Sequence, residues 1–338
     1  MNSKSNVNPN NYMGIKELAS ETRLFPILSF NDSLINDAVG NIQIESGIYN
    51  YNYSDSIKFK FMELYAGISL NEKNRFIIGK KRLDWGSGLL GNPTLFYTQK
   101  DPLRIQNRLE GIYQVNYSHL FENSDIGIFI FPDSKLSKTK FAIKYNTAGN
   151  RISYSGLYIL SGEGHQIGYD ISYGADRFTL YTEGMTRTYS RSYGISKDGV
   201  LTSPQAKSKK IYNDIVVGAS ISLSPRISSY LEYRFNEDNL GRLEIDLYKT
   251  NLPRNAELYD PISIGKHSIF GSFEYKDLYG RWSLNTRGFY NLFSKQLVFS
   301  PLFTYNINNF QVEFSSMAYN NSFSIFKLQS TIFLSLSF

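Results

Sequence analysis

The sequence predicts an all-β protein, a closed antiparallel β-barrel that crosses a membrane, and three observations lead to this fold class. The 338 residues include 26 Tyr and 24 Phe, yet the mean hydropathy is only -0.32. No stretch approaches the roughly 18–20 apolar residues that a membrane-spanning helix needs. From about Asn41 onward, segments with period-2 alternation follow one another, separated by short turn clusters. In a membrane barrel only every second strand residue faces lipid, which keeps the mean hydropathy low.

The alternation is clearest towards the C-terminus. In the last segment one face is apolar and comprises Phe326, Leu328, Ile332, Leu334, Leu336 and Phe338. The other face is polar and comprises Lys327, Gln329, Thr331, Ser335 and Ser337, with Phe333 as the exception. Successive strand residues point to opposite sides, so such a strand has one lipid-facing and one lumen-facing side. The pattern in this segment and in two others predicts four lumen-facing cations, Arg234, Arg281, Arg287 and Lys327.

About 17 candidate strands can be counted, and single-chain bacterial barrels normally have an even number. We therefore predict 18 strands, with 16 as the alternative; a short extra strand at 256–261 would complete 18. Residues 1–38, rich in Asn and Ser, are interpreted as an N-terminal periplasmic leader or lumen segment, and residues 39–338 as the transmembrane barrel. The first residues lack an apolar h-region, so an exported form would have lost its signal peptide.

The chain ends in Phe338, which closes an amphipathic strand. A terminal aromatic residue on such a strand resembles the signal that the outer-membrane barrel assembly machinery reads. We therefore expect a location in the bacterial outer membrane, with membrane lipid and that machinery as partners. The absence of Cys is compatible with export.

One irregular segment, Gly79–Arg108, interrupts the strands. Glycines and prolines prevent a regular helix or strand there: Gly86, Gly88, Gly91, Pro93 and Pro102. Long insertions in a chain of short turns usually have a function. We expect residues 84–108 to be extracellular or folded into the lumen, where they would narrow the pore. Tyr189–Lys209 is interpreted as a second, mobile extracellular loop.

The order of residues in Gly79–Arg108 resembles that of outer-membrane porins of the alginate-export type. The matching features are Gly79–Arg82, Trp85-Gly86, Asn92-Pro93, Asp101-Pro102 and Arg104. The resemblance covers this segment and the general strand texture. It implies an 18-stranded barrel in which basic lumen residues guide an anionic polysaccharide outward.

Six cations lie in and beside this segment: Lys80, Lys81, Arg82, Lys100, Arg104 and Arg108. Only Asp84 and Asp101 oppose them, and the whole chain carries a formal net charge of +6. Lys and Arg lining a narrow pore favour anions, so anion preference is the hypothesis. Alternatively, these cations brace the wall by pairing with carboxylates, or bind lipid phosphates at the rim. The predicted pore residues are Lys80, Arg82, Asp84, Trp85, Asn92, Lys100, Asp101, Arg104 and Arg108.

The sequence therefore favours a passive outer-membrane porin for small solutes or an anionic polysaccharide, with a periplasmic or lipoprotein partner as a further expectation. No cofactor, metal or nucleic acid is expected, because no motif for them is found. Enzymatic activity is not expected, because His119, His165 and His267 are isolated in the sequence. Three alternatives remain: a non-conducting subunit of a secretion or surface-assembly complex, an outer-membrane hydrolase with a Ser–His pair, and a soluble or surface-layer β-protein.

Overall fold

A computed structural model describes the backbone of residues 2–7, 18–23, 32–35, 38–51, 54–83, 85–88, 92–94, 111–190, 194–195, 201–202, 211–245, 265–277, 279–307, 310–321 and 324–336. Side chains are described for residues 63–83, 85–88, 92–94, 111–190, 211–245, 265–277, 279–306, 312 and 314. In these ranges no helix is long and apolar enough to cross a membrane.

Nearly all regular structure in the described residues is β-strand. The first strands are β1 (Asn2–Val7), β2 (Leu18–Arg23), β3 (Asp32–Ile35), β4 (Ala38–Tyr51), β5 (Ser54–Asn71), β6 (Asn74–Lys81), β7 (Ile112–Leu120), β8 (Ser124–Phe131), β9 (Lys140–Ala148), β10 (Ile152–Ser161) and β11 (Gly164–Gly174). The remaining strands are β12 (Phe178–Arg187), β13 (Gly194–Ile195), β14 (Leu201–Thr202), β15 (Tyr212–Ser224), β16 (Ile227–Asn236), β17 (His267–Lys276), β18 (Trp282–Asn291), β19 (Gln296–Ile307), β20 (Phe310–Asn321) and β21 (Ser324–Leu336). A 3₁₀ turn at Leu136–Lys138 and a helical turn at 242–245 complete the described elements.

The strands pair antiparallel with their neighbours in the chain. This ladder runs from β4 to β12, continues from β12 to β15, and then runs to β21. β3 pairs with β4, and β1 pairs with both β2 and β21. β13 and β14 form a separate small hairpin. The predicted all-β antiparallel fold is thus confirmed, whereas the strand expected at 256–261 lies outside the described residues.

The sheet has an apolar face and a polar face. In β11 the side chains of Ile167 and Ile171 are 62% and 44% exposed, whereas Gln166 and Asp170, each directly before one of them, are buried. In β16 Leu231 is 61% exposed and its neighbour Glu232 is buried. This inverts the arrangement of a water-soluble sheet, in which apolar residues are buried. We call the exposed apolar face outer and the buried polar face inner.

The two ends of the strands differ in the length of their connections. At one end the connections are short, such as 121–123, 149–151, 175–177 and 225–226. At the opposite end lie the long connections between the described strands β4 to β21, namely 82–111, 188–211 and 237–266. β21 runs towards the short-turn end, as does every strand that follows a long connection. The segment with the predicted pore residues therefore starts at the long-loop end.

Candidate functional site

Part of the irregular segment is described, and it lies on the inner face of β8 to β12. We call residues 83, 85–88 and 92–94 the docked segment. Leu83 and Trp85 are buried in an apolar cluster with Phe129, Phe131, Ala142, Leu157, Ile159 and Met185. The Trp85 ring meets Phe129 edge-on at 4.9 Å between centroids and Phe131 at 6.1 Å. Such edge-to-face pairs contribute about 0.5–1.5 kcal/mol beyond the burial of their area.

Two carboxylates hold the docked segment from the wall. Glu183 accepts hydrogen bonds from the backbone N–H of Gly88 at 2.9 Å and of Thr94 at 2.7 Å, and from the Thr94 hydroxyl at 2.7 Å. Asp170 accepts from the Ser87 N–H at 2.6 Å and from its hydroxyl at 3.1 Å. Asp170 and Glu183 are direct register partners in β11 and β12. Because hydrogen bonds to a charged group contribute about 1.5–3 kcal/mol each, this carboxylate pair fixes the segment firmly.

Gly86 allows the docked segment to approach the wall. Its φ is +80°, a region that L side chains rarely adopt. A Cβ built there would lie 2.1 Å from Asn92 Oδ1 and 2.3 Å from Glu183 Cδ. The Asn92 amide in turn donates to the Gly86 carbonyl at 3.4 Å. Any larger residue would therefore push the segment off the carboxylate pair.

The carboxylate pair continues a polar row along the inner face. Adjacent register partners from β8 to β12 are Asp125, Asn146, Ser155, Asp170 and Glu183. The Asn146 amide donates to Asp125 at 2.8 Å. A cavity of about 530 Å³ lies between Asp125, Asn146, Ser155 and Asp170 of this row, Gly86–Ser87 of the docked segment and the turn at 121–123. Lys144, which is also buried, borders the same cavity, with Nζ 5.4 Å from the centre of the Trp85 ring.

A second charge cluster lies on the inner face of β12, β15 and β16. Arg234 forms a two-point ion pair with Asp214, with Nε–Oδ1 at 2.9 Å and Nη2–Oδ2 at 2.7 Å. Arg187 approaches the same carboxylate at 3.9 Å. The buried Tyr181 hydroxyl donates to Glu232. Charges in this cluster are therefore paired across strands, as the wall-bracing alternative describes.

The docked segment brings together two of the predicted pore residues, Trp85 and Asn92. Nearby, the side chain of Arg82 pairs with Glu63 at 3.5 Å, and the Arg82 N–H also donates to that carboxylate. Lys80 is buried, with Nζ 5.7 Å from the centre of the Tyr113 ring. Five other predicted pore residues lie outside the described residues: Asp84, Lys100, Asp101, Arg104 and Arg108.

The predicted lumen cations are dispersed. Arg234 belongs to the charge cluster, and Arg287 donates to Asn285 on the same inner face of β18 at 3.4 Å. Arg281 precedes β18, is exposed and lies over the Tyr279 ring at 5.5 Å. In β21 the backbone of Lys327 is opposite that of Tyr319 in β20. The Lys327 side chain and Phe338 lie outside what the structure describes, so their roles stay predictions.

The histidines contact the side chains of neighbouring strands. The Nδ1 atom of His119 is 2.7 Å from the Asn74 side-chain oxygen. The Nδ1 atoms of His165 and His267 each lie 2.6 Å from a tyrosine hydroxyl, that of Tyr158 and of Tyr233 respectively. These contacts use amide and phenol groups as partners.

Comparisons with known proteins bear on the fold. No known protein family and no curated protein matches the chain in sequence. Among solved structures, OpdK of Pseudomonas aeruginosa with vanillate superposes with a TM-score of 0.60 at 10% identity, covering 99% of this chain and 95% of its own. The fold is that of the outer-membrane porins.

Two further structures have the same fold. Wzi of Escherichia coli, an outer-membrane carbohydrate-binding β-barrel involved in group 1 capsule assembly, matches with a TM-score of 0.59 at 11% identity. The match covers 100% of this chain and 83% of Wzi. OccAB4 of Acinetobacter baumannii matches with a TM-score of 0.53 at 10% identity, covering 98% and 94%. A fold shared at such identities hosts different functions, so the site has to carry the functional argument.

Proposed function

We propose that this chain is a passive channel of the bacterial outer membrane, a closed 18-stranded barrel whose lumen is narrowed by the docked segment. One observation carries the proposal, namely that Asp170 and Glu183 hold the docked segment on the polar inner face of a porin-like wall. Buried hydrogen bonds to charged groups are strong, so the segment would act as a fixed constriction. The proposal includes no cofactor and no catalytic step.

Strand pairing supports closure. Within the described residues, nine strands from β4 to β12 and seven from β15 to β21 form one ladder. The pair β1–β2 extends it, because β1 pairs with β21 and β2 contacts β4. These strands together support a count of 18, with the four-residue β3, which pairs with β4, as an additional short strand of the same sheet. The interpretation of residues 1–38 as a leader or lumen segment would then apply only outside β1 and β2.

The orientation follows from the two ends of the wall. Bacterial barrels have short periplasmic turns and longer extracellular loops. The long-loop end would face the outside, and the docked segment would enter the lumen from there. The apolar outer face would contact lipid. A closed wall would leave no backbone N–H or C=O unpaired in the hydrocarbon.

The anion preference and the alginate-export-type resemblance rest on the sequence, and several of their residues, among them Lys100, Arg104 and Arg108, lie outside the described residues. Among the described side chains, six carboxylates are buried, those of Glu63, Asp170, Glu183, Asp214, Glu232 and Asp238. The buried Lys and Arg residues there are fewer, namely Lys80, Lys144 and Arg187. An anion preference, for small solutes or an anionic polysaccharide, therefore requires Lys100, Arg104 and Arg108 to face the lumen.

Single-channel recording in a planar bilayer tests the proposal. We expect stable conductance steps and, across a salt gradient, a reversal potential of the anion-selective sign. Replacing Arg82, Arg104 and Arg108 together by Gln should move that potential towards zero. A matched variant with Lys135 and Lys138 replaced by Gln, both exposed outside the inner face, should leave it unchanged. Cation-selective steps would retain the channel and reject the anion preference.

A specific observation favours one alternative, a barrel that does not conduct. Several polar side chains of the inner face, including Gln166, Glu183 and Asn291, are 0% exposed, so this part of the inner face is closely packed. Such a barrel could serve a surface-assembly complex, in the way that Wzi is involved in capsule assembly. Protein that inserts correctly but produces no conductance would support this alternative and contradict the channel.

A further inference from the structure

The cavity below the docked segment has the properties of a binding site for a small solute. Its volume of about 530 Å³ lies within the range of roughly 300–1,000 Å³ that small-molecule sites occupy. Asp125 and Asn146 lie next to the turns at the short-turn end, so the cavity is on that side of the docked segment. Ser87 and Gly86 of the docked segment form its opposite boundary.

Lys144 borders this cavity and is a buried cation. The residue is only 9% exposed, and within the part of the chain that the structure describes its ammonium group forms no hydrogen bond or ion pair. Asp125, Asp170 and Glu183 act on its charge from a longer range. Because Lys144 borders the cavity, a ligand there can accept hydrogen bonds from its N–H groups in place of water.

The other polar groups of the cavity determine the class of ligand. Among the described side chains the Ser155 hydroxyl also has no hydrogen-bond partner, whereas Asp125 and Asp170 accept from Asn146 and Ser87. A carboxylate oxygen has more than one acceptor site, so both aspartates can accept further hydrogen bonds. An anionic solute would be attracted by Lys144 but repelled by the two aspartates. A cationic solute would be attracted by the two aspartates but repelled by Lys144.

We propose that this cavity binds a neutral polyhydroxylated solute of about hexose size, which accepts from Lys144 and donates to Asp125 and Asp170. Hydroxyl groups both donate and accept, so one such molecule satisfies the ammonium and both carboxylates without burying a new charge. The solute reaches the cavity through the lumen, and in that respect the inference rests on the proposed function. It deepens that function by naming a solute class and the residues that recognise it.

Intrinsic fluorescence provides the test. The chain has two Trp residues, so Trp282→Phe leaves Trp85, next to Lys144, as the only Trp fluorophore. We expect glucose to change the emission of this variant saturably in detergent micelles. Lys144→Met, which keeps an apolar chain over Trp85, should weaken glucose binding about tenfold or more. Ser155→Ala should weaken it as well, and Lys138→Met, an exposed cation, should not.

The outcomes separate this inference from the channel proposal, because the titration needs no conductance. Glucuronate and glucosamine serve as the anionic and cationic probes of the same size. Binding of either one tighter than glucose would overturn the assignment to a neutral solute. A channel that conducts but whose Trp85 emission does not respond to glucose would overturn the site alone. Glucose binding that is retained in both Lys144→Met and Ser155→Ala would also overturn the site. Heat-modifiable migration on a gel would show that both variants are folded.

Discussion

At the scale of single residues, Glu183 is the main anchor of the docked segment. Glutamine in its place would preserve the volume but present an amide N–H₂ to donors, so at least one of the hydrogen bonds from Gly88 and Thr94 would be lost. For Glu183→Gln we expect the free energy of unfolding to fall by about 2 kcal/mol. Urea unfolding in detergent micelles, followed by tryptophan emission, measures this change.

The control for this variant is Glu163→Gln, which changes an exposed glutamate in the turn before β11. It removes the same charge without touching the docked segment, so it should leave the unfolding curve unchanged. Equal curves for the two variants would mean that Glu183 is not an anchor.

The sequence identified the docked segment but not the two carboxylates of the wall that hold it. Trp85 and Asn92 were predicted as pore residues because they lie in a segment rich in Gly and Pro. Asp170 and Glu183, in contrast, look like any polar residue on an alternating strand. They become an anchor because β11 and β12 pair in a register that places them opposite each other. One sequence does not reveal which strand residue a distant segment will meet.

At the scale of elements, the docked segment depends on the close approach at Gly86. For Gly86→Ala, in the Trp282→Phe background, the added Cβ would collide with Asn92 and Glu183. We expect the segment to leave its apolar cluster, which would expose Trp85 and shift its emission to longer wavelength. Gly280→Ala is the matched control, since Gly280 also has positive φ but a Cβ added there would meet nothing within 4 Å among the described residues. If both variants shifted the emission equally, backbone strain alone would explain the effect.

The apolar cluster explains why the segment folds inward at this place. The second half of β8 is apolar on both faces, with Phe129 and Phe131 inside and Ile128 and Ile130 outside. A strand between lipid and water should alternate, so the second apolar face indicates that something covers it. This departure from alternation is readable in the sequence and could have located the docking wall. The partner strands β9 to β12 could not have been found in this way, because their inner faces are largely polar.

At the scale of the whole molecule, the alternation of apolar and polar residues was enough to predict the antiparallel all-β fold. The strand count was harder to predict, because strands and loops are difficult to distinguish in the sequence between 189 and 266. The N-terminal strands β1 and β2 were also missed as strands, since NSKSNV and LASETR are almost entirely polar. β1 pairs with β21, at the far end of the chain. A local sequence pattern does not encode such a distant partner.

Closure of the barrel can be tested at the seam between β1 and β21. Ser3 is opposite Ile332, and Lys4 is opposite Thr331. Opposite residues in antiparallel strands have Cα atoms about 4.5–5.5 Å apart, within the range that a disulfide spans. The chain has no Cys, so a double cysteine variant forms one defined bond.

We expect Ser3→Cys/Ile332→Cys or Lys4→Cys/Thr331→Cys to form a disulfide within the folded monomer, which is detected by gel mobility without reductant. Ser3→Cys with Ser229→Cys, in β16, should remain reduced. An open sheet would leave the seam pairs as unreactive as this control.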